Sequence, residues 1–274
     1  MSTARAEGRI RCLFAAQAEG TGFRAAWPCA REDGRMSDLE ARPTGAQPAH
    51  DLAGMRLHYD QGRLLEADLA PTPLAQFTAW LGDAVEAGVV EANAMVLSTS
   101  DADGVPSGRS VLLKTADQRG FVFYSNLQSR KGRSLAANPR ASLTFPWYAL
   151  ARQVVVVGEV DQLSRDEARE YFSSRPYGSR LGAWASAQST VIASRDVLKA
   201  RYAELAAAFP DTGSASDVPL PDAWGGYVVR PVSVEFWQGR PSRLHDRLRF
   251  VRVDAATPSA LDDASAWRVE RLSP

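Results

Sequence analysis

Apolar and polar positions change period several times along the chain, and the changes mark out its elements. Leu74, Phe77, Trp80, Leu81 and Val85 follow Pro73 at helical spacing and predict one amphipathic helix, closed by Gly88. Ala94–Thr99 reads as a strand and Asp101–Gly104 as a turn. Two apolar-rich runs, Arg109–Lys114 and Phe121–Asn126, are joined by a polar segment containing Gly120, and together they predict a hairpin. Ser129 caps a short helix that ends near Ala137, before Asn138-Pro139. Ala141–Trp147 and Gln153–Val160 are strands, and the unbroken valines of the second predict burial on both faces.

Ser164, with Glu167 three residues on, forms a capping box for a helix running to about Ser173. Ser194 caps another, with Leu198, Tyr202, Leu205 and Phe209 on one side. A polar loop over 213–221 leads into strands at Tyr227–Val229, Val232–Trp237, Leu248–Val253 and Trp267–Leu272. Strands in series with a few inserted helices predict a mainly β fold, a barrel or sandwich with helical decoration and no second core. Residues 1–52 break the pattern: they are rich in Ala, Gly, Arg and Pro and have no periodicity. They are expected to be a disordered extension, leaving 53–274 as a single domain. Met36-Ser37-Asp38 resembles a natural start, so residues 1–35 are expected to be absent from the native product.

Charge and composition narrow the function. The 274 residues carry 32 Lys+Arg against 32 Asp+Glu, which excludes nucleic-acid binding by bulk electrostatics and makes any basic site local. No apolar run approaches the ~20 residues that span a bilayer. Cys12 and Cys29 both lie in the N-terminal segment, and His50, His58 and His245 show no metal-ligand spacing. A cytoplasmic, metal-free globular protein with no nucleic-acid or membrane partner is the expectation.

Lysine is scarce, and its placement is informative. Of three lysines in the chain, Lys114 and Lys131 bracket the hairpin, together with Arg109, Ser125, Ser129 and Arg130. Cationic and hydroxyl groups gathered this way can hold a phosphorylated ligand. Arg109 and Lys114 are five residues apart, which on a regular strand puts them on opposite faces; the strand ends or bends between them, or the two contact different groups. Tyr171, Arg175 and Ser179 offer a guanidinium fork and two hydroxyls near a helix end, and Gln188-Ser189 can read the edge of a heterocycle. Gln153 opens a buried strand and needs a partner. Arg243, His245 and Arg247 alternate and would share one face of a strand, with the arginines pushing the imidazole pKa down. Each of these clusters, taken alone, also fits an ordinary helix end, core amide or solvated edge strand.

In this order the clusters resemble the pyridoxine/pyridoxamine 5′-phosphate oxidase family, from about Met55 to Pro274. The resemblance rests on Arg109-Ser-Val-Leu-Leu-Lys114, Phe123-Tyr-Ser-Asn126, Ser129-Arg-Lys131, Arg152-Gln-Val154, Tyr171-Phe172 with Ser174-Arg-Pro176, Gln188-Ser189, Glu235-Phe-Trp-Gln-Gly239, Arg243-Leu-His-Asp-Arg247 and Arg271-Leu-Ser-Pro274. It implies an FMN-binding split β-barrel, homodimeric, with FMN at the subunit interface. It implies oxidation of pyridoxamine 5′-phosphate and pyridoxine 5′-phosphate to pyridoxal 5′-phosphate, FMN taking the hydride and O2 reoxidising it to H2O2.

By position, the resemblance assigns Arg109, Ser110, Val111, Leu112, Leu113, Lys114, Tyr124, Ser125, Arg130, Lys131, Gln153, Gln188, Ser189, Trp237 and Arg247 to FMN. It assigns Arg56, Tyr59, Lys114, Tyr171, Arg175, Ser179, Arg243 and His245 to the substrate, the last two as catalytic. Ser125 stands where the family usually has threonine. Leu64-Leu-Glu-Ala67 replaces an often arginine-rich stretch, which puts accessory anion binding there in doubt. The alternatives are a split-barrel flavin or deazaflavin reductase of another substrate, and a non-enzymatic flavin- or haem-binding barrel.

Overall fold

The computed structural model describes residues 52, 54, 55, 59, 62–254 and 260–274. The expectations for residues 1–51, and for Arg56, lie outside these. A compact unit runs from Arg56 to Pro274. Helix α1 (Pro73–Glu86) starts on Thr72, whose hydroxyl accepts from Ala75 N, with Pro73 in the first turn, where its missing N–H costs nothing. Phe77, Trp80 and Ala84 are buried as helical spacing requires, but Val85 is 62% exposed and lies off the face it was expected to join.

Nine strands make one antiparallel sheet: β1 (Ala94–Ser100), β2 (Pro106–Leu112), β3 (Thr115–Asp117), β4 (Gly120–Asn126), β5 (Arg140–Trp147), β6 (Arg152–Gln162), β7 (Trp224–Gln238), β8 (Asp246–Arg252) and β9 (Trp267–Arg271). The main path runs β2-β1-β5-β6-β7-β4-β3, with β8 and β9 added beside β7. The expected hairpin of 109–114 with 121–126 is not formed. β2 pairs along its whole length with β1, and only the short β3 turns back on β4. Leu113 N–H donates to Asn93 O on the β1 side (2.9 Å), and the next N–H, Lys114, donates to Val122 O on β4 (2.8 Å). The chain therefore steps from one end of the sheet to the other within one peptide, and the sheet curls until that step joins its ends. This answers the parity question: the strand ends between Arg109 and Lys114.

Two expected strands, 227–229 and 232–237, are one 15-residue strand, β7. Burial along β6 alternates, and Val157 is 42% exposed, so within one subunit the valine strand buries one face rather than two. Phe77 of α1 meets Phe121 and Phe145 edge-on at 4.9 Å, and Trp80 meets Phe236 at 5.3 Å, which plugs the curled sheet. Each such ring removed from water contributes roughly 1.5–3 kcal/mol.

Helix α2 (Arg130–Ala137) follows β4, and α3 (Arg165–Ser174) carries the expected capping box of Ser164 and Glu167. Helix α4 (Tyr177–Ala185) was not expected from the sequence, where Gly178 and Gly182 lower the local helix propensity. Pro176 separates it from α3. Helix α5 (Arg195–Ala208) starts at Ser194 as expected. A second, smaller core, absent from the sequence reading, lies under these helices, with Phe172, Leu181, Leu205 and Trp224. None of the described helices is long and apolar enough to cross a membrane.

Candidate active site

Beside that second core a cavity of about 990 Å³ opens between β2, β4, α2 and the α3–α4 junction. It gathers most of the residues singled out from the sequence: Arg109 to Leu112, Lys114, Tyr124, Ser125, Arg130, Lys131, Tyr171, Arg175, Ser179, Gln188 and Ser189. Leu113 is buried in the main core instead, because it points to the other face from its lining neighbours. Among the described residues, five cationic side chains line the cavity and no Asp or Glu does.

The cations fall into two groups. In the first, Lys131 Nζ donates to Gln188 Oε1 (2.7 Å), Ser125 Oγ (3.0 Å) and Ser129 Oγ (3.4 Å), all neutral acceptors. Burial, and secondarily Arg109, lowers its pKa to about 8. Arg109 is steered by Leu97 O (3.0 Å), Thr99 Oγ1 (2.9 Å) and Ser107 Oγ, and burial and Arg130 lower its pKa. Arg130 and Lys131 also occupy the first turn of α2, where the helix dipole disfavours positive charge and favours an anion.

The second group is Lys114 and Arg175. Lys114 Nζ stands 5.9 Å from the Tyr171 ring centre, and Arg175 lies over Trp224 at 5.0 Å and Phe172 at 5.6 Å. Arg175 Nη1 is buried with no hydrogen-bond partner among the described residues, and burial lowers its pKa. Between the groups Tyr124 stacks on Tyr171 at 4.1 Å and on Trp224 at 5.4 Å. Trp224 is a lining residue the sequence did not flag. An aromatic opening a long apolar strand reads as core, and this one is both core and wall.

α2 reaches the cavity because Gly132 lets its first turn sit on the preceding loop. A Cβ there would stand 2.0 Å from Leu127 O, and Gly132 N–H donates to the cap Ser129 Oγ (3.2 Å). Gly132→Ala should therefore displace α2 and lower stability by about 1–3 kcal/mol, which a thermal melt checks.

The other expected site residues lie elsewhere. Gln153 faces Trp237 across β6–β7, and Trp237 faces Arg247 across β7–β8. His245 packs 4.7 Å from Trp237, and Tyr59 stands edge-on to both at 5.8 and 5.7 Å. The shared strand face expected for Arg243, His245 and Arg247 does not exist. Pro241–Arg243 is a single tight turn with Ser242 and Arg243 at φ 57° and 63°, and β8 begins only at Asp246. His245 does have a lowered pKa, through burial first and Arg243 second. Its Nδ1 accepts from Arg240 N–H (3.0 Å), so the neutral ring carries its proton on Nε2. Arg247 donates to Glu235 (2.7 Å).

A curled antiparallel barrel with such a cavity places the chain among the split-barrel proteins. Sequence comparison narrows the class. A family described as "Pyridoxamine 5'-phosphate oxidase" matches residues 81–208, and "Pyridoxine 5'-phosphate oxidase C-terminal dimerisation region" matches 224–274. Proteins named pyridoxine/pyridoxamine 5′-phosphate oxidase are 56% identical over 224 residues in Kineococcus radiotolerans and 54% over 235 in Streptomyces avermitilis. The matches cover 82% and 84% of this chain and 99% and 100% of those proteins. The crystal structure of PhzG from Burkholderia lata, in complex with tetrahydrophenazine-1-carboxylic acid, superposes with a TM-score of 0.67 at 30% identity. It covers 77% of this chain and 98% of its own. The chain belongs to the pyridoxamine 5′-phosphate oxidase family and is an FMN-dependent oxidoreductase.

Proposed function

We propose that this chain oxidises the 4′-carbon of pyridoxamine 5′-phosphate and pyridoxine 5′-phosphate to the aldehyde of pyridoxal 5′-phosphate, with O2 as final acceptor. The alcohol and O2 give aldehyde and H2O2; the amine also takes up water and releases ammonia. The observation that carries this reading is the pairing of two cationic grips in one cavity without a carboxylate, which suits two phosphorylated molecules side by side. Lys131, Arg130 and Arg109, with Ser125 and the first turn of α2, fit the FMN phosphate; Gln188, whose Oε1 accepts from Lys131 Nζ, and Ser189 line the same cavity beside that grip. Arg175, Lys114, Tyr171 and Ser179 take the substrate phosphate, and the unpaired Arg175 Nη1 gains its partner there. FMN, when bound, supplies the two-electron acceptor.

The remaining candidates complete the site from a second copy. Trp224 walls the cavity and Trp237 anchors the other cluster, and both lie on β7, 13 residue steps apart. At ~3.3 Å per residue that is about 40 Å along the strand, beyond the reach of one ligand. In a homodimer, one subunit's Gln153, Trp237, Arg247, Arg243, His245 and Tyr59 close over the other's cavity. The phosphate grip then holds the substrate remote from the reacting carbon. Neutral His245, with Nδ1 occupied, offers only Nε2 to the substrate and can orient the 4′-substituent there. Anaerobic addition of pyridoxamine 5′-phosphate to the yellow holoenzyme should bleach its visible absorbance, and air should restore it with release of peroxide. An unbleached spectrum refutes the reading and leaves a reductase of another substrate or a non-enzymatic barrel.

A further inference from the structure

A polar knot where β8 begins is used by no step above. Asp246 accepts from the backbone N–H of Leu64 (3.1 Å) and from Arg271 Nη1 (2.9 Å), with Arg240 Nε 3.6 Å away. Arg271 also holds both carboxylate oxygens of Glu66 (2.6 and 2.8 Å) and donates to Leu64 O (3.2 Å). Arg240 donates from Nη1 to Gly62 O (2.6 Å), while its backbone N–H holds the His245 imidazole. Residues 62–66 thus form a strap fastened to the chain's C-terminal strands. The strap turns at Gly62, whose φ of +73° suits glycine and where a side chain would stand 3.1 Å from Gln238 Oε1. Three residues upstream, Tyr59 lies against Trp237 and His245.

We propose that Asp246 is a positioning residue: by fastening the 62–66 strap it holds Tyr59 against Trp237 and His245 and so sets how closely this cluster closes on the substrate. The proposal rests on the reading of Tyr59 and His245 as substrate contacts. An isolated exposed ion pair would do little. This carboxylate is only 14% exposed, and it joins a backbone amide to two guanidinium groups, one of them bidentate on the strap's own Glu66. It is also the residue after His245, so one turn carries both the imidazole and the strap's anchor.

The test is amide exchange and steady-state kinetics on the holoenzyme of Asp246→Ala and Asp246→Asn. In the alanine variant, exchange over 62–66 should rise about tenfold or more, with cavity peptides and bound FMN unchanged. KM for pyridoxamine 5′-phosphate should rise about tenfold while kcat stays within about twofold, the signature of lost positioning in binding. Asparagine keeps an acceptor for Leu64 N–H and should recover part of both effects; it also carries the test if alanine fails to fold. Strap exchange matching wild type in the variants overturns the proposal, as does a loosened strap with unchanged KM. Should wild type oxidise no pyridoxamine 5′-phosphate, the functional reading fails, and unchanged exchange would still overturn the fastening.

Discussion

Arg175→Ala should raise KM for pyridoxamine 5′-phosphate by about ten- to a hundredfold, from a charge-assisted contact of roughly 1.5–3 kcal/mol, while the purified protein keeps its yellow colour. Arg175 caps the end of α3, beside the proline that separates it from α4, and its guanidinium lies over Trp224 and Phe172. Nη1 has no acceptor among the described residues, and burial already lowers its pKa. Removing the side chain therefore breaks no internal hydrogen bond among the described residues, and the loss falls on the ligand that would satisfy Nη1. Arg175→Lys should recover only part of the loss, since an ammonium cannot both stack on Trp224 and present a planar fork. Kinetics with a flavin absorbance reading separate the outcomes: an unchanged KM removes Arg175 from the phosphate grip, and a colourless protein moves it to the cofactor.

What could be read from the sequence was whatever local chemistry decides. The Ser129 and Ser164 caps, the end of α2 before Pro139 and the strand after Gln153 all follow from a few neighbouring residues. The pairing partner of β2 does not. Arg109–Lys114 reads the same whether it pairs with β4 or with β1, and only the β1 register and the crossover at Leu113–Lys114 distinguish the two. Helix α4 was hidden by its glycines, and Trp224 by being a core residue with one face on a cavity. The alternation of Arg243, His245 and Arg247 misled for a related reason. Spacing of two implies a shared face only on a strand, and a left-handed turn at Ser242 and Arg243 delays the strand to Asp246.

The site's division follows from the same topology. Cationic side chains distant in sequence, Arg109 and Arg175 among them, meet because β2 and the α3–α4 junction flank one wall of the curled sheet. The C-terminal cluster is sequential neighbours plus cross-strand partners, Gln153 to Trp237 to Arg247. Motif order along the chain carries no information about which end of β7 each residue occupies. One list of candidate residues therefore becomes two places on a subunit, which the proposed dimeric site would reunite.

Lys131 is the residue whose removal should cost FMN most. Lys131→Met should weaken FMN binding by about a hundredfold or more, the loss expected when one partner of a desolvated charge pair is truncated. The pH dependence makes the assignment specific. Burial and Arg109 put the ammonium at about pKa 8 in the protein without ligand, and among the described residues its acceptors are the neutral oxygens of Gln188, Ser125 and Ser129. A phosphate beside it favours the charged form, so the pKa rises when FMN binds. Binding is then coupled to proton uptake only above the free-protein value. Affinity stays level below about pH 8 and falls by up to about tenfold per pH unit above it, until the raised bound-state pKa is reached. The phosphate itself, with a second pKa near ~6, is already a dianion throughout this range and adds no slope. Fluorescence titration of apoprotein with FMN between about pH 7 and about pH 9 reads the effect directly. The fall should vanish in Lys131→Met, and also in Lys131→Arg, whose charge does not titrate there. A slope that survives both substitutions would assign the titration to another group and remove Lys131 from the phosphate.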